Sequence, residues 1–381
     1  MTRELRIALV GAGPAGQAHA FGYRNVSMAH DLKDVRLVLD TVVDPNLELA
    51  ASVAERYGFE RCVGSVEELL ATSAVDAVSV ALPNHLSAPT LTTLLNAGKH
   101  VLAEKPLGRN ATEAQLLTDL AAAKGVVAGV GFSYRRIPAL AAAARAVADG
   151  AIGTPYLATA RFYADYALDP ETPLNWRFLK ETAGAGTLMD MGTHALDALE
   201  FLVGPISEVS ASVLHTSIPT RPDPTAPGTR GAVDTDDTAL VSLRFAGGAV
   251  GTMIASRVTA GIPVDLSVEV FGSAGHVRFS FEEMSHYTLY QSGANPSPTD
   301  GPRRIIPGPE APHFGNVMPM CFRGNPTGYG EAFIAETQDF VRAILTGTPM
   351  DTDFATATRT MLAAQAAIDV SRTERPMVLA N

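Results

Sequence analysis

The first third of the chain alternates short apolar runs with stretches of helical character. Ile7-Ala8-Leu9-Val10 is the first run and residues 37–43 form the second. Ala77-Val78-Ser79-Val80-Ala81, His100-Val101-Leu102-Ala103 and Val126-Val127-Ala128-Gly129-Val130 follow. Helices are predicted between them at 47–57, from 65 to 71, at 87–97 and at 112–123, with Ser65 and Glu68 at the spacing of a capping box. Strands that are apolar on both faces and separated by helices specify a parallel sheet covered on both sides. The expected fold is therefore α/β, with a doubly wound domain that closes near Phe132.

After Tyr134 the texture changes. An alanine-rich helix is predicted at 138–148, then alternating strands at 156–163, 209–215, 239–245, 249–258 and 264–271. Successive strands without helices between them predict a mostly antiparallel sheet in a second, α+β domain. Residues 217–237 and 291–330 are rich in loop formers and read as long surface segments, either functional or plain excursions. Helices are predicted at 189–202, 331–345 and 354–372, and the domains are expected at 1–135 and 136–381.

Gly11-Ala12-Gly13-Pro14-Ala15-Gly16 matches G-x-G-x-x-G where a strand meets a helix, the context a dinucleotide site requires. Gly11 permits the turn, Gly13 lets a diphosphate approach the backbone, and Gly16 lets helix and strand pack. Asp44, at the end of the second strand, suits the ribose hydroxyls and would repel a 2′-phosphate. No Arg or Lys adjoins it, so NAD is expected rather than NADP. Asp44 lies further from the glycines than is usual, which residues 23–33 explain as an insertion in the first crossover.

Two further clusters carry chemistry. Glu104-Lys105-Pro106 closes a strand at the edge where such sheets bind ligands, so Lys105 is placed to meet the nicotinamide end. Pro83, Asn84 and His85 follow another strand and are candidates to line the same cleft. Asp190 and His194 are four apart at the start of a helix, so both are expected on one face, where they would share a substrate hydroxyl. Imidazole titrates near neutrality, which suits His194 to take a proton. Tyr134, Arg135, Arg136, Trp176 and Arg177 are candidate substrate contacts; packing and ion pairing are the alternatives.

Composition narrows the partners. The net charge of −11 disfavours nucleic acid and anionic membranes, and hydrophobic residues at 46% are enough for a packed core. No apolar run reaches the roughly 20 residues a bilayer requires. The two cysteines, Cys62 and Cys321, form no disulfide framework, and nine histidines without paired spacing predict no metal site. Two isolated cysteines fit a reducing cytoplasm, and the residues from Met1 to Arg6 show no signal-peptide architecture.

Gly11–Gly16, Leu82-Pro83-Asn84-His85, Glu104-Lys105-Pro106-Leu107 and Asp190–His194, in this order and spacing, resemble the glucose–fructose oxidoreductase / inositol dehydrogenase / rhizopine catabolism (Gfo/Idh/MocA) family over essentially the whole chain. The resemblance implies a Rossmann domain, a second domain on an open antiparallel sheet, and a homodimer or homotetramer. It gives Lys105 the task of orienting the substrate hydroxyl, Asp190 that of binding beside it, and His194 that of general base. The implied reaction is NAD-dependent oxidation of a sugar, anhydrosugar, cyclitol or aminoglycoside-sugar hydroxyl to a ketone. Tyr134-Arg135-Arg136, Asn175-Trp176-Arg177-Phe178 and Gly328-Tyr329-Gly330-Glu331 look like the levoglucosan dehydrogenase-like and sugar 3-dehydrogenase-like branches. Asn175 and Ser87 depart from the first of these, where Ser and His are usual. A permanently bound NAD shuttling between two sugars is the alternative enzyme, and a non-catalytic NAD sensor the alternative class.

Overall fold

Six parallel strands form the sheet that the doubly apolar runs require. The computed structural model of the protein describes residues 3–293 and 298–379; Met1, Thr2 and part of the irregular stretch 291–330 lie outside them. β1 (Arg3–Val10), β2 (Val35–Val43), β3 (Arg61–Val63), β4 (Ala77–Val80), β5 (His100–Glu104) and β6 (Ala128–Gly131) stand in the order β3-β2-β1-β4-β5-β6. The crossover helices are α1 (Pro14–Arg24), α2 (Leu47–Tyr57), α3 (Val66–Thr72), α4 (Asn84–Asn96) and α5 (Ala111–Lys124). The strand order reverses between β1 and β4, and a doubly wound sheet opens its ligand crevice there. Residues 23–33 finish α1 and add two short 3-10 turns, Val26–Met28 and His30–Leu32, which bury Val26, Ala29 and Leu32. Ser65 caps α3 by accepting the Glu68 N–H at 3.1 Å; Glu68 in return accepts the N–H of Gly64, one residue before the cap.

The second unit is built on nine strands. α6 (Pro138–Ala148) leads into β7 (Pro155–Ala164), then α7 (Lys180–Ala183) and α8 (Thr193–Val203). The strands β8 (Ile206–His215), β9 (Thr220–Pro222), β10 (Arg230–Ala232), β11 (Thr238–Phe245), β12 (Val250–Ser256), β13 (Val264–Gly272), β14 (Gly275–Ser280), β15 (Tyr287–Gln291) and β16 (Arg303–Ile305) come next. Helices α9 (Tyr329–Thr346) and α10 (Phe354–Thr373) precede the last strand, β17 (Met377–Val378). The sheet order is β16-β15-β14-β13-β7-β12-β11-β8-β17, antiparallel except where β7 runs parallel to β12. Ala158, Ala160, Phe162 and Ala164 alternate inward along β7, on the face that α8 covers. Within 217–237, expected as loop alone, β9 and β10 pair as a separate hairpin.

The two compact units are Met1–Gly108 with Thr112–Ile137 and Gly308–Thr358, and Arg109–Ala111 with Pro138–Pro307 and Arg359–Asn381. The expected division at 135/136 lies within two residues of the break after Ile137, and residues 308–358 group with the first unit. The cause is apolar packing. Phe340, Val341, Ala343 and Ile344 of α9 share a buried cluster with Leu5, Ile7, Tyr23 and Val26. Gly22 lets α9 approach α1, since a Cβ there would lie 2.5 Å from the Phe333 carbonyl oxygen.

Candidate active site

Between β1 and α1 stand Gly11, Ala12 and Gly13. Gly11 has φ of 96°, and a Cβ there would lie 2.2 Å from the Ala81 carbonyl oxygen, so only glycine fits. A Cβ on Gly16 would stand 1.9 Å from the Gly11 oxygen. Gly13, the residue capping α1, faces open space, with nothing within 4 Å of such a Cβ. Pro14 takes the first helical position, where a missing N–H costs nothing. The first-turn N–H groups of Ala15 and Gly16 have no intrahelical acceptor. Bare backbone over a helix N-terminus suits a diphosphate.

Asp44 is fixed beside this turn. Its two oxygens accept the N–H groups of Ala12 and Asn46, each at 2.9 Å, which leaves lone pairs for ribose hydroxyls. A pocket of about 280 Å³ adjoins it, with Val43, Pro45, Val66, Leu82 and Leu86 among its walls. Its apolar walls suit a flat heterocycle, and with the glycine turn they fit NAD. Pro83 caps α4, so Asn84 and His85 sit on a helical first turn; the helix starts three residues before the expected 87 because it begins directly at the proline. Glu104 closes β5, and its Oε2 accepts the Lys105 N–H at 3.2 Å. Lys105 is half-buried, and its bond to Pro106 is cis.

Tyr134 and Arg135 lie buried on the helical turn Ser133–Arg136. The Tyr134 ring is 5.2 Å from that of Tyr329, and Arg135 approaches Asp351 at 4.0 Å. Arg136 is paired with Asp339 and Asp351, each at 3.0 Å, which makes it a structural cation.

In the second unit, Leu188–Gly192 wind as a single π-helical turn before α8. The expected single α-helix from 189, with Asp190 and His194 one α-turn apart, is corrected accordingly. Asp236 anchors the start of the turn: its carboxylate accepts the N–H groups of Gly186 and Leu188 at 2.7 and 2.9 Å. Such turns recur at functional sites. Asp190 stands half-buried in it, and His194 is buried on the first turn of α8 with its ring 6.0 Å from Phe162.

Tyr166 donates its hydroxyl to Asp190 Oδ2 at 2.7 Å, and Arg177 Nε is 3.8 Å from the same oxygen. The Arg177 guanidinium covers the half-buried Trp176 ring at 4.4 Å. Desolvation and the Asp190 charge push the Tyr166 phenol well above its ordinary range, so it stays a donor at working pH. Below this cluster Arg257 and Asp237, both fully buried, pair at 2.8 Å. Arg257 also donates to the Arg177 carbonyl at 3.3 Å. Among the described residues no three His, Cys, Asp or Glu side chains could hold a metal, and no helix is long and apolar enough to cross a membrane.

Residues 5–132 match the model of an oxidoreductase family with an NAD-binding Rossmann fold, and 140–278 match the GFO/IDH/MocA C-terminal domain. Levoglucosan dehydrogenase of Pseudarthrobacter phenanthrenivorans is 34% identical over 93% of this chain and 92% of its own. The chain belongs to the Gfo/Idh/MocA family. The NAD-dependent scyllo-inositol 2-dehydrogenase of Bacillus subtilis is 28% identical over 93% of this chain and 90% of its own. A solved levoglucosan dehydrogenase in complex with NADH and levoglucosan superposes with a TM-score of 0.93 at 33% identity, covering 100% of both chains.

As a Gfo/Idh/MocA protein the chain is an NAD-binding oxidoreductase. Sequence reasoning missed Tyr166, Asp236 and the Asp237–Arg257 pair, whose partners are distant in the chain. The one local signal was Asp236-Asp237, two acids between a loop and a strand. Asp44→Ala is expected to weaken NAD binding by about 10–100-fold, as loss of a charged hydrogen-bond acceptor implies, and to narrow the preference over NADP. Titration of both nucleotides checks this; an unchanged ratio would show that Asp44 does not read the ribose.

Proposed function

We propose that the protein oxidises a secondary ring hydroxyl of a sugar, an anhydrosugar foremost, to a ketone with freely exchanging NAD. The observation that carries this reading is the Asp190 carboxylate, with one oxygen held by Tyr166, on a turn that runs directly into the helix bearing His194. A carboxylate accepts from a sugar hydroxyl, and a neighbouring imidazole takes the proton that leaves the reacting one. Lys105 orients that hydroxyl. Bound NAD supplies the hydride acceptor at nicotinamide C4. Trp176 and Arg177 offer an apolar ring and a fork of donors, the pairing of surfaces a pyranose presents in reverse. The levoglucosan named in the related complex makes an anhydrosugar the first candidate.

The test is NADH formation by purified protein with NAD and a panel of levoglucosan, other anhydrosugars, glucosides, inositols and aminoglycosides. Turnover on an anhydrosugar or pyranoside is the expected result. Turnover confined to inositols would contradict the sugar class, and silence with NAD binding intact would contradict free exchange. Tyr166→Phe should raise the KM for the sugar about tenfold, the worth of one hydrogen bond to a charged group, with NAD affinity unchanged. An unaltered KM would remove Tyr166 from the substrate site.

A further inference from the structure

Close to Lys105 the first unit buries an acid for which the hydride chemistry has no use. Glu336, on α9, is 1% exposed, and neither of its carboxyl oxygens has a hydrogen-bond partner among the described residues. Its Oε1 stands 3.9 Å from His19 Nε2. His19, fully buried on α1, places that nitrogen 3.0 Å from Glu104 Oε1 and its Nδ1 2.9 Å from Ser79 Oγ, which also bonds the Tyr23 hydroxyl. The other oxygen of Glu104 accepts the Lys105 N–H. One imidazole thus stands between two carboxyl groups, and the second of them leads to the Lys105 main chain. A glutamine or leucine would fill the space of Glu336 without the cost of desolvating an unpaired acid.

The geometry points to His19 and Glu336 as a positioning pair for Lys105: the imidazole holds Glu104, and ionisation of Glu336 alters that hold, so the placement of Lys105 follows pH. The inference rests on the reading of Lys105 as the group that orients the substrate. The groups facing Glu336 are His19 and Tyr23 from α1, Glu104 from β5, Arg136 from the turn after β6, and Tyr329 and Asp339 on α9 itself. Desolvation raises Glu336 to about 8, and the paired carboxylates raise His19 despite its burial. Below that pH Glu336 is neutral and the Nε2 proton of His19 belongs to Glu104. Above it a second carboxylate competes for the same proton, the Glu104 contact loosens, and the Lys105 N–H loses its fixed acceptor.

The experiment is 13C NMR of full-length protein with reductively 13C-methylated lysines, the Lys105 signal being assigned by its absence in Lys105→Arg. The wild-type signal should move with a midpoint near pH 8. Glu336→Gln should lose that step and keep the low-pH position, and His19→Asn should lose it too, which covers the case of one variant failing to fold. A flat wild-type signal, or a step that persists in Glu336→Gln, overturns the proposal. Lys105→Met separates the two readings: a large loss of turnover supports the role of Lys105. Full turnover in that variant would sink that role, whatever the NMR step shows.

Discussion

His194→Ala cuts kcat by about 10²–10⁴-fold and leaves the dissociation constant of NAD near that of the parent protein, the range expected when one positioned general base is removed. His194 sits on α8 in the second unit, whereas Gly11–Gly16, Asp44 and the apolar pocket beside them are in the first. Losing the imidazole therefore leaves the cofactor half intact. His194 is 6% exposed, so truncation also leaves a void, and the thermal midpoint is measured alongside to separate lost chemistry from lost folding. His194→Asn, which fills more of the space but cannot accept the proton, should be as slow as the alanine variant. A folded variant with parent turnover would remove His194 from the mechanism.

Asp237→Ala should destabilise the second unit by about 3–5 kcal/mol, the usual result of stripping one partner from a buried ion pair. The side chains of Asp237 and Arg257 are both fully buried. Asp237 accepts from Arg257 with one oxygen and from the Ser217 and Ile218 N–H groups with the other, both at 2.9 Å. The variant leaves a guanidinium in the interior together with two unpaired N–H groups. For a unit of this size the loss corresponds to a fall of roughly 10 °C in thermal midpoint. Asp237→Ala combined with Arg257→Met should recover part of it, because the uncompensated charge is gone. A single variant that melts with the parent would show that Arg257 finds another partner. Because Arg257 also holds the Arg177 carbonyl, the KM for substrate should rise in the single variant.

How much of this was legible follows from how local each cause is. The bounds of α2 and α6 coincide with their apolar periodicity, since caps and stripes lie within the segment. The glycine turn and Asp44 were readable for the same reason: strand, turn and helix are adjacent in the chain. The three residues of β3 are too few to show a period. α9 carries an amphipathic stripe, yet the stripe does not say which sheet it covers, and its choice of the first unit rests on Gly22 and Tyr23, over 300 residues away. The π turn at Asp190 is anchored by Asp236, which the sequence sets 46 residues downstream. The parallel pairing of β7 with β12 is decided by the whole sheet rather than by either strand.

Deuterium transfer shows whether the hydride passes straight from the sugar carbon to the nicotinamide. The sugar identified by the panel, labelled with deuterium at its reacting carbinol carbon, is incubated with the protein and NAD, and the NADH is analysed. Direct hydride transfer predicts NADH carrying one deuterium at nicotinamide C4, on a single face, with a slowed rate. NADH formed without the label would contradict it.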